Sequence, residues 1–195
     1  MNLTITDLNN SRLDKDGICS ILEKYKIIPI RFEVKGSYEI TKDSDRNWVF
    51  KMKALDPVMK DYDDLEDPLQ WTDNWDLSNW GILFAHDSDE HVGGAIIAWN
   101  TDEVDMLGGD EERAVLWDIR VKDTSRGKGV GTELFKFVEN WARERNCKEL
   151  IIETQNNNID AMKFYMKMGA EIYQVNEGVY YDLPDEDQVL FRKSL

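Results

Sequence analysis

The stretch AVLWDIRVKDTSRGKGVGT, residues 114–132, decides how this chain folds. Its first part, residues 114–121, is an apolar run of strand length, and residues 122–125 provide a turn. Three glycines follow within residues 126–131, and residues 132–145 then carry apolar side chains at helical spacing. The stretch therefore predicts a strand, a glycine-rich loop and a helix in direct succession.

The glycine-rich loop has the chemistry of an anion site. Gly127, Gly129 and Gly131 allow sharp turns that present backbone N–H groups to a ligand, and the following helix adds the positive end of its dipole. Arg126 and Lys128 add two cations. A pyrophosphate is the natural ligand, and the alternative is a tight turn that only caps the helix. The spacing fits neither a P-loop nor a dinucleotide-binding fingerprint.

Outward from this stretch, antiparallel strands come first and alternating strands and helices come later. Residues 81–86 and 91–100 form a predicted hairpin, with Gly93-Gly94 marking a bulge or a close backbone approach. A strand at 150–154 and a helix at 159–168 follow the loop. The remaining predicted elements are a helix at 11–25, strands at 30–40 and 48–55, a short helix after Pro57, and closing strands at 171–175 and 188–192. We therefore expect a mixed α/β fold.

Composition limits the class of protein. The 195 residues carry 24 bases and 39 acids, a net charge of −15, which argues against binding to a nucleic-acid backbone. No apolar run reaches membrane-spanning length and no secretory signal is visible, so we expect a cytoplasmic protein with no membrane partner. Cys19 and Cys147 lack metal-ligand spacing, and His86 and His91 flank the hairpin turn without completing a triad, so no metal is expected.

Charge is distributed unevenly along the chain. Residues 61–76 hold seven acids and residues 102–112 hold six, with no base in either run, whereas residues 120–128 carry four bases and one acid. One region suits an anion and two suit a cation. Trp71 and Trp75 lie in the first acidic run, and they either pack in the core or contact an ammonium group through their rings.

Two motifs together resemble the GNAT acetyltransferases. Arg126-Gly-Lys-Gly-Val-Gly131 matches every fixed position of that family's R/Q-x-x-G-x-G/A motif for acetyl-CoA. About thirty residues later, Asn158, Ala161, Phe164-Tyr165 and Gly169 match N-x-x-A-x-x-F-Y-x-x-x-G. The segment LIIETQNNNIDAMKFY is similar to the streptothricin acetyltransferase branch. The resemblance is strong over residues 80–195, looser from Phe32 to Trp75, and absent from the first thirty residues.

This resemblance implies a GNAT-like fold with a largely antiparallel sheet, splayed at its centre between the strands at 114–121 and 150–154. It implies acetyl-CoA as co-substrate, with the pantetheine arm along the first of these strands. Asn158 is a family cofactor contact whose alternative role is to cap its helix. The implied cofactor-binding residues are Ile119, Val121, Arg126, Gly127, Lys128, Gly129, Val130, Gly131, Thr132 and Asn158.

The resemblance also implies the catalytic groups. Tyr165 matches the family tyrosine that faces the coenzyme sulfur, and its phenol can protonate the departing thiolate; the alternative is a core tyrosine. Asp118 and Glu153 are the candidates for the general base. Either could instead bind the cation of the substrate while water removes the proton, and Glu153 could be an ordinary surface acid.

Together these features predict a single acetyltransferase domain over residues 1–195, with residues 1–30 as an extension of unassigned role. The predicted reaction transfers acetyl from acetyl-CoA to a primary amine of a small polycation, first of all a streptothricin-type antibiotic. A polyamine or protein amine, and a non-catalytic acyl-CoA-binding module, are the alternatives. A homodimer is left open.

Overall fold

The computed structural model describes residues 2–9 and 13–195. Within it, the chain forms two compact units. Unit 1 comprises the described residues up to Ile30, then Asp61–Ile151 and Leu195, and unit 2 comprises Arg31–Lys60 and Ile152–Ser194. The prediction of one domain over the whole chain stays a prediction.

Unit 1 contains the strands β1 (Leu3–Asp7), β4 (Gly81–Asp87), β5 (Glu90–Trp99) and β6 (Arg113–Val121). They pair in antiparallel fashion in the order β1-β4-β5-β6. Strand β7 (Glu149–Gln155) begins in unit 1 and continues into unit 2. The β4–β5 hairpin is confirmed, whereas β1 was missed because five residues of mixed polarity carry too short a pattern.

The helices of unit 1 are α1 (Lys15–Tyr25), the single turn α2 (Trp71–Asn74) and α3 (Val130–Arg143). The carboxylate of Asp14 accepts the N–H of Gly17 at 2.9 Å and so caps α1. Ser11, where the sequence placed the start of this helix, lies outside the described residues. Helix α3 buries the apolar stripe that its spacing predicts and packs on β5 and β6.

A dense apolar core holds these elements together. Tyr25, Trp80 and Ile96 are among its fully buried members. Gly94 lies where the backbone of β4 and the ring of Tyr25 leave no space, because an added Cβ would meet both at 2.6 Å. The predicted close approach at Gly93-Gly94 is thereby confirmed, and a register shift at Ala85 and His86 adds the bulge.

Unit 2 contains a long two-stranded hairpin, β2 (Arg31–Lys42) and β3 (Trp48–Asp61), whose turn is closed by Asp43. The helix predicted after Pro57 is wrong, because Pro57 lies within β3. Unit 2 also holds α4 (Ile159–Lys167) and the antiparallel pair β8 (Glu171–Asn176) and β9 (Gln188–Ser194). Gly169 follows α4 with φ of 78°, as its predicted role as the residue after the helix requires.

The fold class is therefore confirmed as mixed α/β with a mostly antiparallel sheet and flanking helices. The predicted splay at the centre of the sheet stays a prediction. Over residues 2–9 and 13–195, no helix combines the length and apolar character needed to cross a membrane.

Candidate active site

Strand β6 carries a bulge in the middle of the predicted site. Ile96 of β5 lies opposite Asp118, and Ile97 lies opposite Leu116, so Trp117 is an extra residue without a partner in the ladder. Beyond the bulge, Asp118 and Arg120 are buried, whereas Ile119 and Val121 are half-buried. After the bulge, β6 therefore has a buried, charged face formed by Asp118 and Arg120 and a more accessible, apolar face formed by Ile119 and Val121. The predicted contacts of Ile119 and Val121 with acetyl-CoA stay predictions.

The glycine loop is shaped as a cradle for an anion. Gly127 and Gly129 have φ of 73° and 91°, values that L side chains rarely adopt, and no atom lies within 4 Å of a Cβ built on either one. Helix α3 starts at Val130, so Gly131 and Thr132 lie in its first turn. No side chain caps Gly129, which leaves the N–H groups of that turn available to a ligand.

Two cations border this loop. The Arg126 side chain donates from Nε to the Val121 carbonyl at 3.2 Å and lies 3.2 Å from the Asp123 carboxylate, while half of it stays exposed. Lys128 is exposed. Glycines of positive φ, uncapped N–H groups and two accessible cations fit a pyrophosphate, which is the part of acetyl-CoA that this loop would hold.

Asp118, a predicted base, belongs to a buried charge cluster that we call the Arg120 cluster: Tyr25, Asp63, Asp118 and Arg120. Arg120 donates to Asp118 at 3.0 and 2.5 Å and to Asp63 at 3.0 and 3.1 Å, and its fifth bond reaches the Ile28 carbonyl at 2.9 Å. Its side chain is 1% exposed, so every guanidinium donor is satisfied within the protein.

The tyrosine of this cluster completes the shell of Asp118. The Tyr25 hydroxyl donates to Asp118 at 2.6 Å, and the Arg120 guanidinium lies 4.7 Å from the centre of the Tyr25 ring. Burial, assisted by the charge of Asp118, raises the pKa of Tyr25 well above its usual range. Burial alone would lower the pKa of Arg120, but Asp118 beside it raises that pKa overall. Asp118 therefore shares the single positive charge of Arg120 with Asp63, and it joins β6 to α1 and to residues 61–76. Sequence reasoning missed the cluster, because its members are far apart in the chain.

Trp71 and Trp75, the tryptophans of residues 61–76, pack in or against the core. The ring of Trp117 lies 4.8 Å from Trp75, 5.2 Å from Trp80 and 6.5 Å from Trp71, measured between ring centres. Trp71 and Trp80 are 3% and 1% exposed. The packing interpretation is therefore confirmed for Trp71, and the half-buried Trp75 packs against the same core. The Nε1 of Trp71 is buried and has no hydrogen-bond partner among the residues that the structure describes.

Several acids of the 61–76 run have local structural roles. Asp67 caps the 3₁₀ turn that starts at Pro68 and pairs with Lys26 at 2.5 Å. The carboxylates of Asp61 and Asp76 accept backbone N–H groups at the start of two further 3₁₀ turns. These contacts order the segment locally and leave the total charge of the run unchanged.

Glu153, the other predicted base, lies at the end of β7 in unit 2 among neutral donors. The Tyr180 hydroxyl donates to its Oε1 at 2.6 Å and the Gln188 side chain to its Oε2 at 2.7 Å. Gln155 donates to the Tyr180 oxygen at 3.2 Å. Burial, and then the charge of Glu153, raise the pKa of Tyr180, so its proton stays on the phenol. Tyr180 and Gln188 were not found from the sequence, since neither lies in a motif.

The second motif folds as predicted. Asn158 caps α4, with its Oδ1 accepting the N–H of Ala161 at 3.3 Å, so its capping role is confirmed and its cofactor contact stays a prediction. Tyr165 is 6% exposed, and its ring centre lies 5.6 Å from that of Phe164 and 5.7 Å from that of Phe191. Its packing agrees with a core role and leaves its catalytic role a prediction.

The two histidines pack together. The His91 ring stacks on Phe84 at 4.4 Å and lies 5.4 Å from the His86 ring. Burial lowers the pKa of His91. Among the residues that the structure describes, no group of three or more His, Cys, Asp or Glu side chains could hold a metal ion.

Two streptothricin acetyltransferases are similar to this chain in sequence. Streptothricin acetyltransferase A of Bacillus subtilis (strain 168) is 37% identical over 76 residues, 39% of this chain and 44% of that protein. The streptothricin acetyltransferase of Escherichia coli is 27% identical over 144 residues, 72% of this chain and 71% of that protein. The match to the Bacillus subtilis relative therefore spans less than half of that protein's length.

A solved structure shares the fold of this chain, and a protein family matches most of its sequence. A Bacillus anthracis str. Ames crystal structure, assigned as a streptothricin acetyltransferase and in complex with acetyl coenzyme A, superposes with a TM-score of 0.73. That comparison covers 100% of this chain and 98% of the other at 23% identity, a level that shows the fold alone. The Acetyltransferase (GNAT) family matches residues 46–170, well over half of the chain. This protein therefore belongs to the GNAT family of acetyltransferases.

Proposed function

We propose that this protein transfers an acetyl group from acetyl-CoA to a primary amine of a small polycation, with streptothricin-type antibiotics as the first candidate substrate. The observation that carries the proposal is the glycine loop. Its two glycines of positive φ, its uncapped helix start and its two accessible cations stand out in a protein of net charge −15.

The cofactor side rests on that loop. Arg126, Lys128 and the backbone from Gly127 to Thr132 would hold the pyrophosphate, because two exposed cations and a helix start without a side-chain cap are adjacent there in the chain. Ile119 and Val121 offer the accessible apolar side of β6 to the pantetheine arm. When bound, acetyl-CoA supplies the acetyl thioester.

Gly129→Val tests the cradle, with Gly109→Val as its matched control. Both glycines have positive φ and neither has an atom within 4 Å of an added Cβ, so the two variants carry a similar backbone penalty. Calorimetric binding of acetyl-CoA should be lost in Gly129→Val and kept in Gly109→Val. Micromolar binding by Gly129→Val, or equal loss in both variants, would contradict the assignment.

For the amine, we propose Glu153 as the proton acceptor. The substrate ammonium must first give up one proton, so that the neutral amine can form a bond to the acetyl carbon as the C–S bond breaks. The nitrogen then loses a second proton, which balances the proton that the departing thiolate gains. Tyr180 and Gln188 orient the Glu153 carboxylate without supplying a positive charge, so it keeps its attraction for an ammonium group. Asp118 is the alternative base, but its carboxylate is buried, paired with Arg120 and hydrogen-bonded to Tyr25.

Tyr165 is the proposed donor of a proton to the departing thiolate. A phenol is protonated at neutral pH and can therefore act as an acid. Tyr165→Phe keeps the ring among Phe164 and Phe191 and should lower kcat about 100-fold while acetyl-CoA binding is unchanged. Near-normal turnover would leave Tyr165 with a packing role only.

The acceptor is tested by thiol release from acetyl-CoA with streptothricin, spermidine, a peptide with free amines and a simple monoamine. Streptothricin should give the highest kcat/KM, and its value should fall more steeply with salt than that of the monoamine, because the two acidic runs attract a polycation. Preference for spermidine or the peptide would support the corresponding alternative. Binding of acetyl-CoA without thiol release to any amine would support a non-catalytic module.

A further inference from the structure

The loop between β8 and β9, residues 177–187, carries Tyr180, whose hydroxyl donates to the Glu153 carboxylate at 2.6 Å. This loop holds five acids and no base, so its own charges repel one another. Burial, and then the charge of Glu177, raise the pKa of Asp187. A cation from another element therefore stabilises the packed position of the loop.

Lys60 supplies such a cation from the end of β3. The eleven residues before it, 49–59, are all exposed, whereas Lys60 is not. Its ammonium group forms an ion pair with Glu186 of the loop, and the two side chains are only 14% and 9% exposed. A pair so well shielded from water is weakly screened, and removing one partner leaves the other as a buried, unpaired charge.

Backbone hydrogen bonds connect this ion pair to Tyr180. The N–H of Glu186 donates to the Leu183 carbonyl at 3.0 Å, and the N–H of Leu183 donates to the Tyr180 carbonyl at 3.2 Å. These two turns fold residues 180–186 into one compact segment. The position of Glu186 therefore constrains the position of Tyr180, and Tyr180 helps to orient the Glu153 carboxylate.

A separate anchor holds the end of the loop. Asp187 donates its N–H to the Asn156 side chain at 3.1 Å, and Asn156 donates its own N–H to the Asp187 carbonyl at 3.0 Å. The Asn156 side chain also donates to the Asp187 carboxylate at 2.8 Å. Loss of Lys60 should therefore loosen residues 180–186 while Asp187 stays in place.

We propose that Lys60 is a positioning residue for acetyl transfer, which holds the Tyr180 hydroxyl on Glu153 through Glu186 and the two turns of residues 180–186. The proposal rests on the proposed role of Glu153 as proton acceptor. Lys60 acts through Tyr180 and takes no part in the chemical step.

Amide hydrogen exchange tests the anchor without reference to activity. In Lys60→Met, the N–H groups of Leu183 and Glu186 should exchange about tenfold faster than in the wild type, or more, whereas that of Asp187 should change little. Unchanged exchange at Leu183 and Glu186 would overturn the proposal.

Two further variants separate the buried ion pair from a general effect on the hairpin. Lys51→Met is the matched control, because Lys51 pairs with Glu39 at 3.0 Å within the same hairpin but both side chains are largely exposed. It should leave exchange and kcat unchanged. Lys60→Arg keeps the positive charge and should exchange as slowly as the wild type. Equally fast exchange of the loop in Lys51→Met and Lys60→Met would overturn the proposal.

Thiol release from acetyl-CoA tests the consequence for turnover. Lys60→Met should lower kcat per folded molecule about tenfold, with the dissociation constant of acetyl-CoA unchanged. In the Tyr180→Phe background the same substitution should lower kcat no further, because the hydroxyl that Lys60 positions is already absent. A tenfold loss in both backgrounds would overturn the proposal.

The failure of the proposed function and the failure of the anchor are distinguishable. If Glu153→Gln turns over normally, the proposed proton acceptor is wrong and the positioning role falls with it, while fast exchange in Lys60→Met would still identify the anchor of the loop. If Lys60→Met does not fold, Glu186→Gln replaces it, because that change removes the charge and keeps the shape of the side chain. Exchange at Leu183 should then rise about threefold or more, and unchanged exchange would overturn the proposal.

Discussion

Asp118 and Glu153 are both strand acids near the two motifs, but their environments differ in one decisive respect. Asp118 is 7% exposed and pairs with a guanidinium that cannot lose its proton. Glu153 is half-buried and accepts hydrogen bonds from a phenol and an amide, both of them neutral. Each carboxylate accepts a hydrogen bond from a tyrosine at 2.6 Å. The two therefore differ in the charge of their remaining partner, which is a guanidinium for Asp118 and a neutral amide for Glu153.

This difference gives the two carboxylates different roles. A carboxylate neutralised by a buried arginine stabilises a network, and removing one partner is costly because the other charge stays buried. A carboxylate held by neutral donors retains its negative charge, which can attract an ammonium group and accept its proton. The Arg120 cluster is therefore a structural joint of unit 1, and Glu153 is the reactive candidate of unit 2.

The largest expected effect is on stability, from Arg120→Met. The variant leaves Asp118 and Asp63 near each other without their cation, which should cost about 3–5 kcal/mol of unfolding free energy. Glu153→Gln weakens the two hydrogen bonds to the other carboxylate and leaves no charge unpaired, so it should cost less, about 1.5–3 kcal/mol. Urea unfolding followed by circular dichroism measures both, and equal losses would remove the distinction.

A smaller effect concerns alkaline pH. Burial raises the pKa of both Tyr25 and Tyr180, so the folded protein holds these protons after the unfolded chain has released them. Stability should therefore be complete below pH 10 and fall above it, by about 1.4 kcal/mol per pH unit for each phenol. Unfolding free energies between pH 9 and pH 11.5 measure the slope. Tyr25→Phe and Tyr180→Phe should each make it shallower, and unchanged slopes would contradict the buried proton assignments.

Much of the fold could be predicted from local patterns. The glycine loop, the β4–β5 hairpin, α3 and α4 each carry a complete signal in consecutive residues, and each forms as expected. β1 was missed because its stability comes from pairing with β4, a partner almost eighty residues away. The helix expected after Pro57 fails for a similar reason, since pairing within the hairpin overrides the local signal.

Only those parts of the candidate site that lie within a sequence motif could be predicted. The residues of the glycine loop lie between β6 and α3, where the motif puts them, because a short loop fixes its own geometry. The environments of Asp118 and Glu153 could not be read from neighbours in the chain. Arg120 is two residues from Asp118, but Asp63 and Tyr25 are 55 and 93 positions from Asp118, and Tyr180 is 27 from Glu153. Pairs so distant carry no spacing rule, and they decide what each carboxylate can do.

The most direct test is the turnover number of Glu153→Gln and Asp118→Asn, measured by thiol release with acetyl-CoA and streptothricin from pH 6 to pH 9. Each rate is expressed per folded molecule, so that a loss of stability in Asp118→Asn does not count as a loss of catalysis. We expect Glu153→Gln to lower kcat about 100-fold across this pH range, with Asp118→Asn within about threefold of the wild type. A 100-fold loss in Asp118→Asn beside a nearly normal Glu153→Gln would reverse the assignment of the two carboxylates.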